Sequence, residues 1–193
     1  MNLSPCLKTD RLILRRWLPS DIEPFAALNA DPEVMRFFPK VLTRTEVEAL
    51  IGRFEDHFDR HGFGLWAVEL KITGELIGFI GLNIPSFNAP FMPTVEIGWR
   101  LAKDFWGQGY ATEGAIAALR FGFEDLDLPE IVAFTAKVNQ RSIAVMERLA
   151  MKRNPDEDFD HPALPAGHPL QRHVLYRLTK AEFCPKAPKN EPG

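Results

Sequence analysis

The stretch Trp106-Gly107-Gln108-Gly109-Tyr110-Ala111-Thr112-Glu113-Gly114 constrains this chain more than any other segment. It follows an extended run and opens a helix in which Ala111, Ala115, Leu119 and Phe123 recur at i, i+4 steps. Glycines at a helix start remove the Cβ atoms that would keep an anion away from the backbone. The first-turn amides have no intrahelical acceptor, and the helix dipole adds partial positive charge there. A phosphate-bearing ligand is the physical expectation. A dinucleotide fingerprint, G-x-G-x-x-G, is excluded because Thr112 stands where its third glycine would be. A P-loop is excluded too. Gly109 and Gly114 have its spacing, but Ala115 and Ile116 replace its lysine and hydroxyl. Two readings stay open on the pattern alone: a looser pyrophosphate loop in which G-x-G suffices, and a turn with no ligand.

The rest of the chain supplies a sheet around this unit. Leu12 and Leu14 alternate with Ile13 and Arg15 in a short strand. Ser20 and Glu23 have capping-box spacing, so a helix is expected to Ala30, stopped by Asp31-Pro32. Thr43 and Glu46 repeat the signal before Val47, Leu50, Ile51, Phe54 and Phe58, with Gly62 as the C-terminal stop. Residues 65–70 and 75–84 read as a hairpin, and 94–101 as a further strand. Gly98, inside that strand, predicts a bulge or the close approach of another backbone. A helix over 109–126, a strand over 130–138, a helix over 139–150 and a strand over 172–179 follow. The second of these helices has Ile143, Met146, Leu149 and Ala150 as its inward stripe. Hairpins followed by two βα units predict an α/β (α+β) domain, a mixed sheet with helices on both faces.

Composition excludes several classes. Lys and Arg total 23 against 26 Asp and Glu, a net charge of −3, which argues against a nucleic-acid partner. No run reaches the ~20 apolar residues of a membrane span, and the first ten residues hold no signal-peptide h-region. Cys6 and Cys184, near opposite ends, form no disulfide framework. A soluble cytoplasmic protein is expected, monomeric or homodimeric, with one domain over 7–180 and a disordered tail over 181–193. Seven of the 16 prolines fall after Arg153. Pro155, Pro162, Pro165 and Pro169 stiffen the connection before the last strand, and the other three sit in the tail.

Longer motifs decide between the open readings. Glu96-Ile97-Gly98-Trp99-Arg100-Leu101, a four-residue spacer and then the glycine stretch resemble the GNAT superfamily of acetyltransferases. More narrowly, Leu7-Lys8-Thr9-Asp10-Arg11-Leu12-Ile13-Leu14-Arg15 resembles the opening of the ribosomal-protein N-terminal acetyltransferase branch. Asn139, Ser142 and Val145-Met146-Glu147-Arg148-Leu149 resemble that branch's last helix. The resemblance implies a mostly antiparallel central sheet in which the strands at 94–101 and 130–138 splay apart. It implies transfer of an acetyl group from acetyl-CoA, as co-substrate, to a primary amine on a small molecule or a protein N-terminus, with no metal.

The resemblance also implies the site. Gly107, Gln108, Gly109, Tyr110, Ala111 and Thr112 would hold the pyrophosphate by their amides, with Trp106 beside them. Pantetheine would pair along Trp99, Arg100 and Leu101, with an N–H near Trp99 or Arg100 polarising the thioester carbonyl. Asn139 and Ser142 would reach the pantetheine or the sulfur, although Asn139 is fully explained as an N-cap. The acceptor amine, with an α-amino pKa of about 8, is mostly protonated at pH 7 and needs a base. Glu96 is the candidate, and Glu96→Gln is expected to lower the rate most at low pH. Three departures stand out. Asp104 replaces the usual Arg or Gln before the loop, Ala150 replaces a glycine after the last helix, and no tyrosine sits where a general acid is common.

The histidines and aromatics are weaker signals. His57 and His61 have zinc spacing but no third ligand. By family geometry His161 or His168 would lie near the acceptor, and Phe37, Phe38, Phe87 and Phe91 at its entrance. The alternative function is a non-catalytic acyl-CoA-binding sensor or interaction module.

Overall fold

The computed structural model describes residues 5–183. Its sheet runs in the order β1-β2-β3-β4-β5-β6-β9-β7, with β8 added to β9. The strands are β1 Leu7–Lys8, β2 Leu12–Arg15, β3 Leu65–Leu70, β4 Leu76–Asn83, β5 Glu96–Leu101, β6 Glu130–Ala136, β7 Lys152–Arg153, β8 Phe159–Asp160 and β9 Arg172–Thr179. All neighbours are antiparallel except β5 and β6. Those two are parallel and register at one pair, Glu96 with Val132, beside a bond from the Val132 N–H to the Val95 carbonyl at 2.9 Å. Beyond that pair their ladder ends and the strands part. The expected splay is present, and Glu96 stands at its apex.

Helices cover both faces. Alternation along β4 and β5 sends Leu82 and Ile97 one way and Phe79, Glu96, Gly98 and Arg100 the other. The first face carries α3 (Tyr110–Arg120), whose Gly114 packs against Ile80 and Leu12. The helix α4 (Gln140–Arg148) shares that face, where Tyr176 of β9 meets Glu147. On the second face, Phe25 of α1 (Ile22–Ala30) and Phe54 of α2 (Arg44–His61) close on Phe79 at ring distances of 6.1 and 5.6 Å.

The termini of these helices test the local chemistry. Thr43 and Glu46 form the expected capping box, and Gly62 ends α2 at φ 77°. The first helix starts differently. Pro19–Asp21 form a 3-10 turn, and Asp21, not Ser20, does the capping. Its carboxylate, 3% exposed, accepts from the Leu18 N–H at 2.8 Å and from two Arg15 nitrogens at 2.7 and 2.9 Å. A buried carboxylate with three donors outcompetes a serine hydroxyl for that position. The helix from Tyr110 stops at Arg120 and continues only as a π turn, Phe121–Asp125. Ala150 is not on the inward face of α4. It lies past the helix at φ 59°, in the left-handed conformation a glycine would take, so the helix exit is kept at the cost of local strain.

The expectation for Gly98 is corrected. The sheet's irregularity lies between Val68 and Glu69, and backbones approach closely at Gly81 and, tighter still, at Gly78. A Cβ there would stand 2.0 Å from the Arg100 carbonyl, whereas one on Gly98 would meet only the Glu96 carboxyl at 3.9 Å.

The proline-rich connection is folded back on β9 twice, through β7 and β8, where a loop was expected. These strands are two residues long, too short for periodicity to reveal. A turn over residues 180–182 leads into the expected tail and sets the Phe183 ring 5.0 Å from Phe123. The remainder of the tail, with Cys184, lies outside the described residues.

Candidate active site

The glycine loop is an open nest of amides. Trp106 donates to the Lys103 carbonyl at 3.1 Å, and the next paired amide is Glu113, to Gly109 at 3.0 Å. Among the described residues the six amides between, from Gly107 to Thr112, donate to no backbone carbonyl. Gly107 and Gly109 take φ of 75° and 83°, which turns successive N–H groups toward one concavity. Asp104 contributes its backbone, accepting from the Gln108 side chain at 2.9 Å.

The N-terminal motif braces this loop. Glu113, in the first turn of α3, accepts from the Thr9 hydroxyl at 2.6 Å, the Arg11 N–H at 2.9 Å and the Arg11 side chain at 2.6 Å. Burial opposes ionisation of Glu113, but these donors outweigh it and hold the carboxyl below its ordinary range. Arg11 also donates to the Gln108 carbonyl at 3.0 Å and lies 4.4 Å from the Tyr110 ring centroid. A guanidinium thus stands beside the amide nest. Sequence reasoning found both motifs but not the contact between them, since no local pattern couples residues about a hundred positions apart.

The gap between β5 and β6 has one polar edge. Ala102 donates to Ile77 at 2.9 Å, which makes their pair hydrogen-bonded. Alternation then directs the polar groups of Arg100 and Gly98 at β4, and those of Ile97, Trp99 and Leu101 at the gap. Of the two expected donors to a thioester carbonyl, only Trp99 faces the right way. The Leu101 carbonyl is already taken by the Trp106 indole at 2.8 Å. The Arg141 guanidinium of α4 lies 4.3 Å from the Trp106 ring centroid and joins the two banks of the gap. This contact was not anticipated from the sequence.

The backbone of Arg100 faces β4 and not the gap. Its side chain turns to the second face, pairs with Asn29 of α1 and lies 3.9 Å from the Phe38 ring centroid. Burial lowers its pKa to about 10, and among the described residues its Nε has no partner. It pins the connection between α1 and α2.

Glu96 has no cationic partner among the described residues. Burial pushes its pKa up to about 8, against a hydrogen bond from Asn83, its cross-strand neighbour. A carboxyl held by burial well above its ordinary range thus faces the cleft.

Across the gap, Asn139 caps α4 by accepting from the Ser142 N–H at 3.3 Å and donates to the Thr135 hydroxyl at 2.9 Å. Both ends of its side chain are used within the protein. Among the described residues the Ser142 hydroxyl makes no side-chain hydrogen bond. Tyr176, held by Glu147 at 3.5 Å, and Tyr110, beneath Arg11, are both committed elsewhere.

The histidines separate into two groups. His57 donates through Nδ1 to Phe63 at 2.8 Å and accepts through Nε2 from Ile84 at 3.2 Å, which leaves no nitrogen for a metal. Among the described residues no group of three or more His, Cys, Asp or Glu is placed to hold an ion. His161 and His173 lie 4.9 Å apart, ring to ring, in a cluster with Phe87, Phe91, Phe134 and Phe159. Burial lowers the pKa of both. His168 instead closes a turn by accepting from the Leu170 N–H at 3.1 Å.

Known proteins resemble this chain in sequence and fold. A family model described as an acetyltransferase (GNAT) domain matches residues 11–152. FsC-acetyl coenzyme A-N(2)-transacetylase of Aspergillus fumigatus is 35% identical over 190 residues, 95% of this chain and 80% of that protein. An acetyltransferase of the GNAT family from Bacillus anthracis superposes with a TM-score of 0.77 at 26% identity, over 92% of this chain and 100% of the other. Spermidine N-acetyltransferase from Vibrio cholerae, solved with CoA and spermine, has the same fold, with a TM-score of 0.69 at 20% identity over 89% and 97% of the two chains. An amide nest at the start of α3, strands that part at Glu96 and a family match across most of the chain agree, and the protein belongs to the GNAT acetyltransferases.

Proposed function

We propose that the chain transfers the acetyl group of acetyl-CoA directly to a primary amine, on a small molecule or a protein N-terminus, within a ternary complex. The observation that carries this reading is the placement of Glu96, with its raised pKa, at the apex of the β5–β6 gap whose mouth holds the amide nest. Gly107 to Thr112 would bind the pyrophosphate, with Arg11 adding charge. The open edge of β5 offers the Ile97 carbonyl and Trp99 to the pantetheine amides, and the Trp99 N–H polarises the thioester carbonyl. Acetyl-CoA supplies an activated acyl carbon. The amine nitrogen bonds to that carbon, the carbon–sulfur bond breaks, and the amine's proton passes to Glu96 directly or through water. The thiolate leaves with a pKa near 8.5, so it needs little acid assistance, and Ser142 is the candidate donor. The exposed free thiol of Cys6 suits a reducing, cytoplasmic setting.

One observation favours a second reading, an acyl-CoA-binding module without turnover: neither tyrosine reaches the cleft as a general acid. Thiol release from acetyl-CoA with a panel of primary amines separates the two. Amine-dependent release supports the enzyme. CoA binding without release on any amine leaves the sensor.

A further inference from the structure

The geometry points to an acceptor subsite on the Glu96 face of the cleft, shaped for a primary amine carried on a flat apolar body, with Gly98 as its floor and Phe134 as its wall. This rests on the acyl-transfer reading and assigns it a substrate class.

Gly98 is the first observation. A glycine inside a strand weakens it, so crowding or an unusual φ normally accounts for one. Gly78 and Gly114 fit that rule, with added Cβ atoms 2.0 and 2.4 Å from their neighbours. Gly98 does not. Its φ is ordinary, and a Cβ would touch only the Glu96 carboxyl, at 3.9 Å. What the missing side chain provides is space beside that carboxyl.

The second observation is the wall. The Glu96–Val132 pair sets these two side chains on one face, and Phe134 follows two residues later along β6, where the strands have parted. The Phe134 ring meets Phe87 at 5.6 Å, Phe91 at 5.9 Å and Phe159 at 5.6 Å. This cluster is separate from the main core, and Phe87, Phe91 and Phe134 stay partly exposed.

The third observation is charge. His161 and His173 are held toward neutrality by burial. Two rim carboxylates are paired, Asp158 with Arg153 at 3.0 Å and Glu157 with Arg177 at 2.7 Å, and Asp156 beside them is exposed. A polyamine's second ammonium finds Asp158 and Glu157 already paired, whereas an aromatic ring finds aromatic edges and faces.

The test measures kcat/KM of the unmodified enzyme for 2-phenylethylamine, tryptamine, putrescine and spermidine by thiol release from acetyl-CoA. The aryl amines are expected to lead by about tenfold, and Phe134→Ala to raise their KM about tenfold with the KM for acetyl-CoA unchanged. Phe134→Leu, which keeps more of the core volume, replaces it if the alanine variant does not fold. Gly98→Val is expected to depress turnover of every amine while CoA still binds. Polyamines equal to or better than aryl amines would overturn the subsite and leave the acyl-transfer reading standing. No thiol release with any amine, while CoA still raises Tm, would remove both.

Discussion

Arg11 and Glu113 join the first turn of α3 to the chain's N-terminal motif through a guanidinium–carboxylate contact at 2.6 Å and a backbone contact at 2.9 Å. The pair fixes the angle at which the glycine loop presents its amides. Glu113→Gln keeps the shape and removes the charge. It is expected to weaken CoA binding about fivefold, ~1 kcal/mol, measured by calorimetry. Arg11 is half-exposed, so the loss in Tm should be small. Unchanged CoA affinity would show that the loop holds its form without this brace.

Glu96 sets the pH dependence. With a pKa near 8 it is mostly protonated at pH 7 and becomes a competent base as pH rises. The loss on Glu96→Gln should therefore be largest at high pH, the reverse of the expectation from an ordinary carboxylate. Stability moves the other way. The folded pKa is raised above the ordinary 4.5, so the folded state holds the proton more tightly. The wild type should lose Tm between pH 4.5 and about 8, and Glu96→Gln should lose less. Rate profiles of equal shape for the two proteins would remove Glu96 as the base.

Much of this was legible because the decisive signals are local. Thr43 with Glu46, Gly62, and the span of β9 are each written in a few adjacent residues. The glycine loop is local as well, which is why its ligand class could be read before its geometry. The misses share a physical cause. Asp21 displaced Ser20 as the cap because Arg15, on a neighbouring strand, is its partner. The Arg100 amide faces β4 because strand alternation, not residue type, decides which amides face the gap. The Trp106–Arg141 contact joins elements that meet only in the folded chain.

Asp21 carries a stability prediction of its own. Its removal leaves the Leu18 amide and part of the Arg15 guanidinium without an acceptor in a nearly closed site, although Glu69 still holds the Arg15 Nε at 2.7 Å. Asp21→Ala is expected to cost about 3 kcal/mol, the range for breaking a buried pair from one side. For a chain of this size that is roughly 6–12 °C in Tm. Asp21→Asn, which can still accept from the Leu18 N–H, should cost less. Equal and small losses would place the anchoring of α1 in its apolar contacts with Phe25.

Ala150 offers the opposite sign. At φ 59° its methyl group sits in a conformation that costs an L-residue about 1–2 kcal/mol. Glycine removes that strain but gives back part of it, about 0.5–1 kcal/mol, through the greater freedom of the unfolded chain. The net effect of Ala150→Gly is a gain of about 0.5 kcal/mol, or roughly 1–2 °C in Tm. The residue follows α4 at a turn closed by its own N–H to the Glu147 carbonyl at 3.0 Å, on the side of the helix away from Asn139 and Ser142. The acetyl-CoA KM should therefore not move. A lower Tm in the glycine variant would show that the turn is selected by contacts of the methyl group and not merely tolerated.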